Sequence, residues 1–261
     1  MKKFDKELLG ALADRLLEAK KEVREIDRLT LEYPDLTVEL GYEIQRILVE
    51  KKKNGRPVGW KVGLTSRAKQ AQMGVYEPIY GTLLDIHRIA DKAGIPVRSL
   101  IHPKVEPEIA FVLKRDLRGP GVTLDQVLEA TERVYPALEV IDSRYRDFKF
   151  TLPDVIADNA SCGRFVLGSQ GVDPRNFDLR LFGVILEKNG EVVHTGAGAA
   201  VLGHPAKAVI WLCDMLSNQG LAVTTGSVIL AGAITEAVPF RPGDVITATA
   251  EHVGTVSAMG V

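Results

Sequence analysis

The stretch Lys104-Val105-Glu106-Pro107-Glu108-Ile109-Ala110-Phe111-Val112-Leu113 has the apolar content of a β-strand. Side chains alternate on a strand, so Glu106 and Glu108 share one face. Two carboxylates side by side on a half-buried strand repel each other and lose hydration, and they then require a cation or a proton. Pro107 has no amide hydrogen and predicts a sheet edge or a bulge, a suitable rim for a site. Two solvated glutamates on an exposed strand face is the alternative that this segment alone leaves open.

Working outward, Tyr135-Pro136-Ala137-Leu138-Glu139-Val140-Ile141 reads as a buried strand broken by a single charge. An isolated buried carboxylate costs several kcal/mol unless it is paired or metal-bound, so Glu139 needs a partner. One candidate is a cation shared with Glu106 and Glu108, and the other is a salt bridge to Arg144 or Arg146. Three carboxylates with no His or Cys at a ligand spacing suit Mg²⁺ or Mn²⁺, with positions left for waters or a chelating substrate.

Gly59-Trp60-Lys61-Val62-Gly63-Leu64-Thr65 places one lysine in an otherwise apolar, glycine-flanked segment. Lys61 is a candidate for binding a substrate carboxylate or, with its pKa lowered by burial and a nearby metal, for donating a proton. A lysine snorkelling to solvent at a strand end is the ordinary alternative. Asp158-Asn159-Ala160-Ser161-Cys162-Gly163 gathers short polar side chains at a turn. Such a corner can hold an oxyanion through Ser161 and free amides, or it is turn chemistry with Asp158 and Asn159 bonding their own backbone. The five histidines show no ligand spacing, although His102 precedes Glu106 by four residues.

Phe4, Leu8, Leu12 and Leu16 recur every four residues and predict an amphipathic helix over 4–25. Leu40, Ile44 and Ile47/Leu48 predict another over 37–53, stopped by Asn54-Gly55. Residues 1–57 therefore form a helical packing or assembly element, and 58–261 a β-rich catalytic domain. Within the latter, Thr123-Leu124-Asp125-Gln126 is a capping box opening a helix that runs to about Val134, where Pro136 ends it. His204-Pro205 begins another, with Val209, Leu212, Cys213 and Leu216 inward and Gly220 as its stop. Ser227–Phe240 and Val245–Val256 read as two strands joined by the turn Arg241-Pro242-Gly243-Asp244.

The charge balance, 33 basic against 34 acidic residues with net charge −1, gives no reason to expect nucleic acid or an anionic membrane as partner. The basic run Lys51-Lys52-Lys53 reads as the solvated end of a helix. Cys162 and Cys213 form neither a disulfide framework nor a metal motif, which suits a reducing compartment. No window reaches the roughly 18 apolar residues of a membrane helix, so the expected home is the cytoplasm.

Taken together, Gly59–Thr65, Pro103–Glu108, Pro136–Ser143, Ala157–Ser161, Gly196–Pro205 and the closing Pro242-Gly243-Asp244 strand pair resemble the 2-oxopent-4-enoate hydratase / 4-oxalocrotonate decarboxylase family of the fumarylacetoacetate hydrolase superfamily. The resemblance covers nearly the whole chain. It implies an α+β fold, in which N-terminal helices precede a mixed β-rich barrel or roll of the fumarylacetoacetate hydrolase C-terminal type. It also implies Glu106, Glu108 and Glu139 as ligands of Mg²⁺ or Mn²⁺, Lys61 as catalytic, and Ser161, Ile79, Leu64 and Asp158 as substrate contacts. A homo-oligomer, and association with a 2-oxopent-4-enoate hydratase, belong to the same implication.

Two reactions divide that family, loss of CO₂ and addition of water. Gly74-Val75-Tyr76-Glu77-Pro78-Ile79-Tyr80-Gly81 resembles the decarboxylase version, since hydratases carry an aspartate at the place of Ile79, and an isoleucine cannot move a proton. Leu64–Met73, Ile141–Tyr145 and Gly196–Pro205 are likewise closer to the decarboxylases. The expected activity is metal-dependent conversion of a small 2-oxo dicarboxylate, 2-oxohex-3-enedioate (4-oxalocrotonate), to 2-oxopent-4-enoate and CO₂ in meta-cleavage breakdown of aromatic compounds. The alternative is hydration of 2-oxopent-4-enoate to 4-hydroxy-2-oxopentanoate. A non-catalytic assembly subunit is the reading from another class, and the intact Lys61 and three glutamates speak against it.

Overall fold

The helices lie where apolar residues recur at helical spacing. α1 (Lys6–Glu22) is capped by Asp5, whose carboxylate accepts the Leu8 amide at 3.0 Å, and it buries Leu9, Leu12, Leu16 and Ala19. α2 (Leu29–Glu32) is a single turn, and α3 (Val38–Lys51) is capped by Thr37 and buries Ile44 and Leu48. The computed structural model describes residues 4–66, 70–71 and 75–261. Met1 to Lys3, and residues 67–69 and 72–74 within the family-like stretches Leu64–Met73 and Gly74–Gly81, lie outside the described residues. Among the described residues no helix is long and apolar enough to cross a membrane.

The helical segment does not bury its apolar face alone. Its cluster takes in Tyr145 and Ala157 from the β-rich part, and Gln45 donates to the carbonyls of Tyr80 (3.0 Å) and Ile156 (2.9 Å). Asp154, fully buried at the start of α5 (Leu152–Ala157), accepts from Thr30 N at 2.9 Å and Thr30 Oγ1 at 2.7 Å.

The strands form two sheets. The larger runs in the order β2 (Ile79–Leu84), β1 (Pro57–Gly63), β10 (Val228–Leu230), β5 (Lys104–Leu113), β6 (Thr131–Ile141), β7 (Cys162–Leu167) and β3 (Arg88–Ile89), with β11 (Val238–Pro239) also pairing β5. The smaller runs β4 (Gly94–Ile95), β13 (Gly254–Gly260), β12 (Val245–Ala250), β8 (Gly183–Lys188) and β9 (Glu191–Ala197). Val105, Leu138 and Val140 of the large sheet share a buried cluster with Leu186, Ile246 and Val256 of the small one. Strand alternation therefore turns Glu106, Glu108 and Glu139 to the opposite face, where Ala110, Ala137 and Phe165 pack. α6 (Ala206–Ser217) buries Val209, Leu212, Cys213 and Leu216 as its spacing predicts. This is the expected α+β arrangement of helices followed by a mixed β-rich roll.

Four local expectations are corrected by the observed strand pairing. The capping box at Thr123 and Gln126 is present, but its helix α4 (Leu124–Ala130) stops four residues short of Val134, because Thr131–Tyr135 pair with Ala110–Leu113 of β5. Pro136 lies inside β6, at the point where β7 has ended and Gly168 N bonds its carbonyl at 2.8 Å. Pro107 sits in an interior strand, yet in a local gap on one flank of it. β10 takes Ala110–Val112, β11 takes Lys104 and Val105, and between them the Ile234 amide reaches the Pro107 carbonyl at 3.0 Å. The two expected C-terminal strands are four. Residues 231–237 leave the sheet at Gly232 (φ 112°), and Val245–Val256 is broken by the β12–β13 turn at Glu251–Val253, ahead of Gly254 (φ 122°).

Candidate active site and metal centre

β5 and β6 are antiparallel in a register that sets Glu106 directly opposite Glu139, with Glu108 two residues along on the same face. All three are buried, Glu139 completely, and one carboxylate oxygen from each lies within 4.8 Å of the others. Oxygens around one Mg²⁺ stand about 2.1 Å from the ion, hence about 3–4 Å apart, so small side-chain shifts would bring the three carboxylates onto one cation. Glu108 Oε2 accepts the Gly232 amide at 2.7 Å, while Glu108 Oε1 and Glu139 Oε1 are buried without a donor. Gly232 is required there, because a Cβ would fall 2.2 Å from Thr65 Oγ1.

The partner of Glu139 is Lys61. Its Nζ lies 2.8 Å from Glu139 Oε2 and donates to the Ala160 carbonyl at 3.1 Å. The salt bridges considered from sequence are not formed: Arg144 bonds Asp158, and Arg146 reaches Asp27 at 3.0 Å and Glu25 at 3.5 Å. Burial works to lower the Lys61 pKa, but the charges of Glu139, Glu106 and Glu108 outweigh it and raise it. Facing these carboxylates, the side chain is held as an ammonium; the lowering expected from sequence invoked a nearby metal as well as burial. Three carboxylates and one ammonium leave two negative charges, which a divalent cation balances.

Burial, and after it the charge of Glu139, pushes the Glu108 carboxyl well up; burial also raises Glu139, against the pull of Lys61. A cation requires these groups ionised, so binding releases protons and tightens as pH rises. Titration calorimetry with Mg²⁺ in two buffers of different ionisation heat is expected to return a positive proton release. Zero release with a pH-independent affinity would mean that the carboxylates are ionised beforehand.

Residues 75–259 match the family model for the fumarylacetoacetate hydrolase C-terminal domain. The chain belongs to the fumarylacetoacetate hydrolase family. It is 49% identical over 250 residues to 4-oxalocrotonate decarboxylase of Pseudomonas sp. (strain CF600), covering 95% of each chain. It is 41% identical over 257 residues to 2-hydroxyhexa-2,4-dienoate hydratase of Comamonas testosteroni, covering 97% of each. A solved structure of 4-oxalocrotonate decarboxylase from Pseudomonas putida G7, complexed with magnesium and adipate, is similar at TM-score 0.96 and 44% identity, covering 100% of both chains. The acidic cluster of this family member offers three buried carboxylates of a kind that could hold a metal ion.

Beside the cluster lies a cavity of about 150 Å³ lined by Lys61, Leu64, Ile79, Glu106, Ser161 and, among residues not singled out from sequence as site contacts, Thr65, Ile141, Phe148, Phe150, Val155 and Ala233. Ser161 Oγ is buried and has no hydrogen-bond partner. Its position comes from three consecutive left-handed residues, Asn159 (φ 52°), Ala160 (φ 50°) and Ser161 (φ 57°), held because Asn159 bonds both the amide (2.7 Å) and carbonyl (3.0 Å) of Thr82. The same bend aims the Ala160 carbonyl at Lys61.

Asp158 is not brought to the cavity. It is fully buried and accepts from Arg144 through Nε and the backbone amide (3.1 Å), while Arg144 also bonds its carbonyl. Burial pushes its carboxyl up to about 6 against the pull of Arg144. Its service is to neutralise a buried guanidinium, which corrects the expected substrate contact. His102 stands one layer out, 2.8 Å from Glu25 and edge-on to Phe148. Phe148 and Phe150 carried a readable signal, two large aromatics two residues apart just after a charged turn.

Proposed function

We propose that this enzyme decarboxylates 2-oxohex-3-enedioate to 2-oxopent-4-enoate, with Mg²⁺ held by Glu106, Glu108 and Glu139. The observation that carries the reading is the composition of the cavity beyond the acids. Ile79, 4% exposed, faces it together with Val155, Phe148 and Phe150, and Glu106 is the one carboxylate that lines it among the described residues.

Bound there, Mg²⁺ supplies Lewis-acid stabilisation of negative charge on a substrate oxygen. The chain's own residues then divide the remaining work. Ser161 Oγ and the Lys61 ammonium are the donors at the wall, and Lys61 stabilises the charge that appears when the bond to the distal carboxylate breaks. An apolar wall favours neutral CO₂ over the carboxylate it leaves behind, and excludes the water that a hydratase must deliver. One proton is taken up by the carbon skeleton. Adipate, bound in the Pseudomonas putida G7 relative, is a six-carbon dicarboxylate of the same length as the proposed substrate.

Hydration of 2-oxopent-4-enoate is the second reading, favoured by the 41% identity to a hydratase. Incubating the chain with each oxo acid, with and without Mg²⁺, and identifying the products separates the two. Mg²⁺-dependent CO₂ release is expected; robust hydration without any CO₂ would replace the decarboxylase by the hydratase.

Lys61→Ala is expected to keep Mg²⁺ binding while kcat falls by about 100-fold or more. Unchanged turnover would leave Lys61 as a structural counter-charge. Ile79→Asp puts a carboxylate against the departing one and is expected to slow CO₂ release by about tenfold or more, with Mg²⁺ affinity kept. Retained CO₂ release would remove Ile79 from the reaction's environment.

A further inference from the structure

The basic run at the end of α3 divides into three fates. Lys51 reaches Asp14 at 2.6 Å and the Gly10 carbonyl at 3.2 Å, Lys53 is exposed, and Lys52 turns inward. There it joins Lys20 from the last turn of α1 and Arg164 from β7 along an open cleft of about 610 Å³, which His87, Lys51 and Lys53 also line. Lys20 Nζ is buried and has no hydrogen-bond partner among the described residues. Arg164 commits one guanidinium nitrogen to the Gly163 carbonyl at 2.9 Å. Among the described residues no aspartate or glutamate lines this cleft, and it shares no lining residue with the active-site cavity.

Burying an ammonium without a partner costs several kcal/mol, so this arrangement needs an explanation. The C-terminal ends of α1 and α3 offer roughly half a negative charge each; burial pushes the Lys20 ammonium well down and Lys52 down to about 8, and an incoming anion would restore their charge. Asp158 is close enough for its charge to act on Lys52, but it is bonded to Arg144. His87 adds nothing negative. Burial, and after it the charges of Lys52 and Lys20, hold it neutral, with its Nδ1 3.6 Å from Cys162 Sγ.

We propose that this cleft binds a phosphate dianion, free or carried on a small metabolite. Donors arrive from three separate elements, which suits a tetrahedral oxyanion with oxygens in several directions better than a planar carboxylate. Arg164 offers a flat fork and the two lysines compact point charges, the usual pair of phosphate-binding devices. The cleft opens to solvent, so a group attached to the phosphate has a way out.

The test is titration of the metal-free full-length chain with inorganic phosphate, by calorimetry and thermal unfolding, at ionic strength held constant with chloride. Saturable binding of one phosphate per chain and a raised Tm are expected, with affinity at least tenfold weaker in both Lys20→Met and Arg164→Gln. Lys20→Met alone is expected to raise Tm in chloride, since it removes a buried charge without a partner. A phosphate effect no larger than that of chloride, or an unchanged affinity in the two variants, overturns the proposal. If either variant fails to fold, the other carries the comparison. Glycerol 3-phosphate that competes with phosphate supports a carried group, and its exclusion while phosphate binds supports the free ion.

Discussion

Glu139→Gln is expected to leave a folded protein that no longer responds to Mg²⁺. The replacement keeps the shape of the side chain, and Lys61 retains the Ala160 carbonyl and the field of Glu106 and Glu108, so the fold has no large cavity or orphaned cation to accommodate. One of three ligands is lost, together with the charge that balances the ion. Mg²⁺ at a hundred times its dissociation constant stabilises the wild-type chain by about 2.7 kcal/mol. For a domain of this size that is a rise in Tm of about 5–10 °C. The variant is expected to show no such rise and no Mg²⁺-dependent turnover. An equal Mg²⁺-induced shift in Tm would strike Glu139 from the ligand set, whatever happened to activity.

The second large effect concerns stability. Asp158→Asn is expected to cost about 3–5 kcal/mol, because breaking a buried pair on one side leaves an uncompensated charge inside the protein. Arg144 is 3% exposed, its Nη1 already lacks a hydrogen bond, and its other carboxylate neighbour, Asp142, is 4.0 Å away and accepts the amides of Ile101 and His102. Little remains to take over. Thermal unfolding would register a loss of roughly 6–20 °C. Mg²⁺ binding by any fraction that stays folded should be close to normal, since Asp158 does not line the cavity. A loss of Mg²⁺ binding with Tm unchanged would instead make Asp158 a working member of the site.

What the chain reveals in one dimension is governed by how local the physics is. The α1 and α3 helices and the Thr123–Gln126 capping box involve residues three or four apart, and they stand where the spacing puts them. Glu106 and Glu108 needed only the period of a strand. Glu139 announced that it needed a partner, but the sequence neighbours Arg144 and Arg146 were as eligible as Lys61, 78 positions away, and sheet pairing alone decides between them. Pro136 looked like a helix stop because its strand partners lie at Ile109 and Gly168, outside any local window. Asp158 and Lys52 were misread for a shared reason. Their surroundings are set by tertiary structure: Arg144 folds back onto Asp158, and Lys20 and Arg164 are brought beside Lys52.

The facing of Glu106 and Glu139 across β5 and β6 carries a further meaning. A slip of a single residue between these strands would send Glu139 to the face occupied by Leu138 and Val140, where no ion can be shared. Lys61 and Gly232 reach the same point from β1 and from the end of β10, so the cluster exists only when strands drawn from most of the chain have found their places together. A divalent ion held there would therefore act as a proofreader of strand alignment: it would reward one arrangement of the sheet and none of its near misses.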